Sequence, residues 1–204
     1  MTSSSSDSPS RLSVIACGAI ARHVDDISKR RGWDLDIHPL PPLLHNTPKE
    51  IAPAVASLIE VLKPEAARIA VAYADCGTYG ALDAVITQHG VERLRGEHCY
   101  DVFAGADVIR HLLNEQPGTY FFTDYLVKGF HRSVVVELGL DVRPELRDDY
   151  FRHYTRVVWL AQQPTDELHT AAREAAAIMG LPLEMRVVGD LGLEAQLEVL
   201  LRSR

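Results

Sequence analysis

The chain has 204 residues, a hydrophobic content of 47% and a formal net charge of −7. A chain of this length can bury a sizeable core, and the composition is typical of a globular protein. The acidic balance argues against a duplex nucleic-acid partner, and no apolar run reaches the roughly 20 residues of a membrane span. Three cysteines, an odd and small number, do not suit a disulfide framework, so we expect a cytoplasmic protein.

The predicted elements alternate between strands and helices. Residues 1–10 are polar and rich in serine, and we expect a disordered tail there, followed by a single α/β domain over residues 11–204. Apolar runs predict strands at residues 12–16, 35–40, 68–74, 120–123, 156–161 and 183–188. Amphipathic patterns predict helices at residues 19–31, 49–62, 80–89, 102–114, 125–138 and 166–179, while residues 97–100 fit a short strand or a loop. This alternation predicts an α/β fold with mainly parallel sheets and flanking helices, in a strand order that the sequence does not reveal.

One short internal echo concerns two of the cysteines. Residues 14–20 read VIACGAI and residues 73–82 read YADCGTYGAL, so in each an apolar strand runs into Cys-Gly and a helix start. The echo suggests a pseudo-symmetric arrangement and puts Cys17 and Cys76 at the carboxyl ends of two strands. In an open parallel sheet these ends share one edge, which is where ligands bind.

Cys99 is the third cysteine, and it precedes a helix that we expect to begin near Val102. All three cysteines therefore lie at predicted junctions before helices, where the helix dipole favours the thiolate. One interpretation is an iron–sulfur cluster held by three thiolates, with one open iron for a small substrate. A second is zinc with three cysteine ligands and water or His98 as the fourth.

Three unrelated packing thiols are the structural alternative to a metal site. We favour a shared site because all three cysteines lie at junctions and two of them precede a glycine. Gly18 and Gly77 would let the backbone approach a bulky cofactor closely.

Polar residues near these junctions are candidates for catalysis and binding. Asp75 fits a general acid or a helix cap, and His45 fits a proton donor or a loop residue that binds backbone. Asn46 and Thr78 are candidate cofactor-binding residues, the second also a helix cap. Asp124, which follows a predicted strand, could lie at the same edge. The sequence contains neither GxGxxG nor GxxxxGK[ST], so the common nucleotide-binding motifs are absent.

Six segments carry a resemblance to a known family. They are ACGAIAR, PPLLHNTPKEIAPAV, YADCGTYGALD, HCYDVFAG, TYFFTDYL and LGLDVRPELRDDYFRHY. Together they resemble the domain-of-unknown-function 1638 family of bacteria and archaea over residues 12–189, and the resemblance carries over Cys17, Cys76 and Cys99. The family pattern at Cys76 is Asp-Cys-Gly-Thr-Gly-Gly, and this chain has Tyr79 where the pattern has the glycine after threonine. The larger side chain predicts a narrower pocket.

The resemblance implies a metabolic context and no defined reaction. Members are associated with corrinoid-dependent methyltransferase systems for methylated amines, so the implied context is one-carbon or methylamine metabolism. We therefore expect a metal-centre protein acting on a small molecule, with lyase, transferase and reductase chemistry all open. The alternatives are a metal-free small-molecule or corrinoid-associated accessory protein of a methyltransferase system, and a thiol-based transferase. We expect neither nucleic acid nor membrane among its partners.

Overall fold

The computed structural model describes residues 11–202, so the predicted disordered tail lies outside the described residues. Two compact units make up this part of the chain: His98–Ala195 form the second, and the residues before His98 and after Ala195 form the first. The single domain expected over residues 11–204 stays a prediction. No helix among the described residues is long and apolar enough to cross a membrane.

The first unit alternates strands and helices. Its elements are β1 (Leu12–Cys17), α1 (Ala21–Arg31), β2 (Leu35–Leu40), α2 (Ile51–Leu62), β3 (Arg68–Ala72), α3 (Ala81–His89) and β4 (Glu92–Arg93). Two 3₁₀ turns, Pro42–Asn46 and Pro48–Glu50, connect β2 to α2. Gly32 and Gly90 end α1 and α3 in the left-handed conformation, as their positions predict.

The strands of the first unit form a parallel sheet in the order β2-β1-β3-β4. The chain leaves β1 towards β2 on one side and then crosses back to β3 on the other. Because such crossovers are right-handed, α1 covers one face of the sheet and α2 and α3 cover the opposite face. The change of direction makes the gap between β1 and β3 a topological switch point.

The second unit has more helix. Its elements are α4 (Cys99–Ala104), α5 (Ala106–Glu115), β5 (Thr119–Thr123), α6 (Asp124–Phe130), α7 (Arg147–Phe151), β6 (Arg156–Ala161), α8 (Asp166–Met179), β7 (Leu183–Val187) and the start of α9 (Leu191–Arg202), which ends in the first unit. A π-helical turn, His131–Val136, continues α6, and a 3₁₀ turn, Pro144–Leu146, precedes α7. The sheet is parallel, in the order β5-β6-β7. The two sheets differ in strand number and order. The two segments of the sequence echo lie at the carboxyl ends of β1 and β3, which both belong to the first sheet.

The predicted α/β class with parallel sheets and flanking helices is confirmed. One local prediction is wrong: the single helix expected at 102–114 is broken at Gly105, whose φ is +86°. Of the two alternatives for residues 97–100, the strand does not form, and α4 begins at Cys99. The short strand β4 and the helix α9 have no counterpart among the predicted elements. The break follows from Gly105, which adopts a conformation that side chains rarely take.

Candidate functional site

Cys17 and Cys76 lie at the two sides of the switch point in the first sheet. Cys17 is the last residue of β1, and Cys76 follows β3 by four residues. β1 and β3 are neighbours in the sheet, so the loops after them border the same crevice. The predicted placement of these two cysteines at one carboxyl edge is therefore confirmed in the backbone.

Cys17 is buried, with 1% of its surface exposed. Burial raises the pKa of its thiol above the ordinary 9.0, and the backbone N–H of Ala19, the Tyr73 side chain and the backbone N–H of Ile20 offset this only in part. The sulfur is thus a neutral thiol near pH 7. Three groups that favour a thiolate nevertheless surround it.

Gly18 serves the fold of its own chain. A Cβ at this position would lie 2.4 Å from the carbonyl oxygen of Leu40 and 2.8 Å from Cδ of Pro42. Gly18 therefore lets the end of β2 and the segment after it approach β1 closely. This packing explains the glycine without a bound cofactor.

The loop from Asp75 to Gly80 holds Cys76 in an unusual conformation. Cys76 has φ of +51° and is 7% exposed, and Gly77 follows with φ of +81°. The N–H of Cys76 donates to the carbonyl of Glu97 at 2.6 Å, and the N–H of Asp75 donates to the carbonyl of Gly96 at 3.1 Å. These two bonds tie the loop to the segment that follows β4. Left-handed backbone at a residue other than glycine is strained and is found disproportionately at functional sites.

The Asp75 carboxylate caps the turn that leads into α3. It accepts hydrogen bonds from the Thr78 hydroxyl at 2.6 Å and from the N–H groups of Tyr79 and Gly80, both at 3.1 Å. Partial burial raises the pKa of Asp75, but these bonds and the charge of Arg93 outweigh it and hold the pKa below 3.8. An ionised carboxylate with three donors fits the capping interpretation better than a general acid.

Thr78 and Tyr79 follow in the same loop, and only the first behaves as one of its predictions has it. The Thr78 hydroxyl accepts from the N–H of Leu82 at 3.3 Å, so it caps the first turn of α3, which begins at Ala81. Tyr79 has φ of +52°, and its side chain is 96% exposed. The expectation that Tyr79 narrows a pocket is therefore wrong, because the ring points into solvent.

His45 and Asn46 lie in the 3₁₀ turn after β2, at the same carboxyl edge. The ring of His45 is half-buried and lies 6.3 Å from the ring of Tyr73 between centroids. Tyr73 is fully buried and faces Cys17, so His45, Tyr73 and Cys17 form a connected cluster. Asn46 is exposed.

Cys99 lies in the second unit, where it is half-buried at the start of α4. His98 is the N-cap of this helix, and its N–H donates to the Asp101 carboxylate at 2.9 Å in a capping box. Asp101 is therefore an acid in the first turn of α4. Convergence of Cys99 with the other two cysteines stays a prediction. Within residues 11–202, no group of three or more His, Cys, Asp and Glu side chains is arranged to hold a metal ion.

Two residues that matter at this edge were not predicted. Tyr73 lies inside the strand predicted at 68–74, where it fits the run of apolar residues. Its hydroxyl is the one signal in the sequence that points to a polar role. Arg93 ends the two-residue strand β4, and its guanidinium binds the Asp83 carboxylate at 2.7 and 3.0 Å. The pKa of Arg93 is raised, first by that hydrogen bond and also by electrostatic interaction with Asp75 and Cys76. A cation therefore lies near the Cys76 loop.

The carboxyl edge of the second sheet contains a buried acid, Asp124, with 2% exposure. Its carboxylate accepts from Trp159 Nε1 at 2.9 Å and from the N–H groups of Gln162 and Gln163 at 3.1 and 2.7 Å. These bonds link the end of β5 to the end of β6. Asp124 therefore has a structural task, and it follows a strand of the second sheet, whereas Cys17 and Cys76 follow strands of the first.

Comparison with known proteins places the chain in a family. No curated protein and no solved structure is significantly similar to it. A family profile described as "Protein of unknown function (DUF1638)" matches residues 39–197, which is most of the chain. The match includes Cys76 and Cys99 and begins after Cys17. The protein belongs to the DUF1638 family, as its sequence motifs predict.

Proposed function

We propose that this protein holds an iron–sulfur cluster through Cys17, Cys76 and Cys99 and leaves one coordination position open to a small substrate. The observation that carries the proposal is the placement of Cys17 and Cys76 on the two sides of the switch point. Ligands of open α/β sheets bind at such points. Cys99 enters the proposal on the sequence pattern alone.

The surroundings of Cys17 support a thiolate ligand. A thiol that only packs needs no donors, yet two backbone N–H groups and the Tyr73 side chain favour its charged form. Donors of this kind around cysteine sulfurs stabilise and tune bound clusters. Metal binding would supply the deprotonation that burial alone disfavours.

The surroundings of Cys76 support the same role. The left-handed backbone costs about 1–2 kcal/mol at a residue with a Cβ, and glycine would avoid that cost. The Arg93 guanidinium is electrostatically coupled to Cys76, and a neighbouring cation favours a thiolate. Both features favour a functional role for the Cys76 sulfur as a thiolate ligand.

The remaining polar groups divide into structural and reactive ones. Asp75 and Thr78 are engaged in capping α3, so we assign them the task of holding the Cys76 loop. His45 lies beside Tyr73 at the same edge and is our candidate for binding or protonating a substrate. An open iron would supply Lewis acidity or electrons to an oxygen or sulfur atom of that substrate.

Anaerobic reconstitution tests the proposal. Protein treated with ferrous iron and sulfide should bind about four of each per chain and absorb broadly in the visible range. Cys76→Ser should lose most of this iron while the apo-protein keeps its unfolding midpoint. Tyr79→Gly is the matched control, because it changes an exposed side chain in the same loop and should retain full iron content. Wild-type protein that binds no iron, or a Cys76→Ser variant that binds as much as wild type, would overturn the proposal.

A metal-free accessory protein, binding a small molecule or a corrinoid beside a methyltransferase, is the second candidate. One observation that favours it is the raised pKa of the buried Cys17 thiol. Another is that, in the described chain, no group of three or more His, Cys, Asp and Glu side chains is arranged to hold a single metal ion such as zinc. Titration with cobalamin, followed by absorbance, tests corrinoid binding. Stoichiometric iron and sulfide in the reconstituted protein would contradict this candidate.

A further inference from the structure

The described strands at the borders of the two sheets differ in how well they are protected from pairing with another chain. At the borders of the first sheet, β2 contains Pro39, which has no N–H to donate, and β4 has only two residues. In the second sheet, β5 is largely buried. β7 is five residues long, contains no proline and is exposed over its last three residues. Exposed border strands without protection readily pair with further strands.

The main-chain groups on the outer side of β7 can be assigned from its bonds to β6. The N–H of Val157 donates to the carbonyl of Pro182 at 2.8 Å, and the N–H of Val188 donates to the carbonyl of Ala161 at 2.9 Å. Successive residues of a strand point their N–H and C=O groups to alternate sides. The even-numbered residues of β7 therefore face β6. The residues that point outward are Leu183, Met185 and Val187.

We propose that β7 is the docking surface for a second copy of this chain, with the two β7 strands antiparallel about a two-fold axis at Met185. The proposal is independent of the metal centre. In this register Met185 lies opposite its own copy, and Leu183 lies opposite Val187. These are the residues with outward main-chain groups, so the three pairs form six hydrogen bonds. The two three-stranded sheets then become one sheet of six strands.

The charges of β7 select this partner and this register. Its sequence, Leu-Glu-Met-Arg-Val, places Glu184 opposite Arg186 of the other copy, twice in the dimer. These positions are the non-hydrogen-bonded pairs, in which side chains approach most closely and opposite charges stabilise. Parallel pairing in register would instead bring like charges side by side. A strand from an unrelated protein would form these two ion pairs only if it carried the same order of charges.

The side chains are already placed for this contact. Glu184 is held by the buried Arg156 at 3.2 Å and by Arg186 at 3.4 Å, so its carboxylate is oriented before docking. Met185 is 43% exposed and Val187 is 66% exposed, and both lie on the opposite face of the strand. Docking would cover this apolar area.

Sedimentation velocity of the full chain, up to about 200 µM because so small an interface is weak, tests the proposal. Wild type should dimerise reversibly. Arg186→Glu puts a second carboxylate opposite Glu184 of the other copy and should weaken the dimer about tenfold or more. Arg173→Glu makes the same charge change at an exposed position on α8 and should leave the dimer intact. A wild-type monomer throughout, or a dimer unaffected by Arg186→Glu, would overturn the proposal.

Two further measurements locate the contact. Met185→Pro removes an outward N–H and no bond to β6, and it should abolish the dimer while circular dichroism confirms the fold. Hydrogen exchange of the Leu183, Met185 and Val187 amides should slow as protein concentration rises. Protection of these amides in a monomer would overturn the proposal, because it would show another occupant on the strand.

Discussion

Replacing Asp124 by asparagine should destabilise the second unit by about 2 kcal/mol. One carboxylate oxygen accepts from Trp159 and Gln162, and the other accepts from the N–H of Gln163 at 2.7 Å. An asparagine NH₂ must face one of these donors, which removes a charge-assisted bond of about 1.5–3 kcal/mol. The two bonds that remain weaken as well, while relief of the buried charge recovers part of the loss.

Urea denaturation monitored by fluorescence measures this effect. The chain has two tryptophans, so a Trp33→Phe background leaves the buried Trp159 as the reporter. A loss of about 2 kcal/mol corresponds to roughly 4–8 °C in the unfolding midpoint for a chain of this size. Asp141→Asn, at an exposed loop position, is the control and should change stability by less than about 0.5 kcal/mol. If Asp124→Asn behaves like this control, Asp124 does not hold β5 to β6, and its burial needs a functional explanation.

Three other substitutions test the first unit. Tyr79→Gly should stabilise it by about 0.5–1 kcal/mol, because glycine relieves the left-handed strain at some entropic cost; an unchanged urea midpoint would contradict this. Gly18→Ala should cost about 1–3 kcal/mol, since its methyl group would overlap the Leu40 carbonyl, and a wild-type midpoint would show that the turn yields. The hydrogen bond from Arg93 lowers the pKa of Asp83, so its stabilisation is present above the unfolded value near 3.8 and is lost as pH falls through the folded pKa. Stability of Asp83→Asn against wild type should differ at pH 6 and converge near pH 2; a constant difference would contradict the assignment.

The sequence predicts elements well where a regular pattern is long and its ends are marked. The strand at 156–161 and the helix at 166–179 match β6 and α8 at both ends, the latter because Thr165 caps it and Gly180 ends it. α9 was not predicted, and it contains Gly192 in its first turn, a residue that disfavours helices. A Cβ at Gly192 would lie 2.4 Å from the carbonyl of Phe103, so the glycine permits a close approach inside a helix. Tertiary contacts of this kind leave no local pattern.

The candidate site shows a similar limit. The pattern of apolar run, cysteine and glycine was enough to place Cys17 and Cys76 at strand ends. The strand order that makes β1 and β3 flank a switch point depends on long-range pairing, which the sequence did not reveal. The choice between acid and cap for Asp75 likewise needed the positions of three donors.

The strained loop gives the clearest reason to look for chemistry at this edge. Asp75 and Thr78 secure the loop with hydrogen bonds that lie within its own sequence, and none of those bonds uses a sulfur atom. Cys76 nevertheless occupies a left-handed position that glycine or asparagine would adopt more easily. Its burial of a small apolar surface repays little of that strain. The strained position of a residue with a side chain is therefore the feature of this loop that the metal experiments on Cys76 are designed to explain.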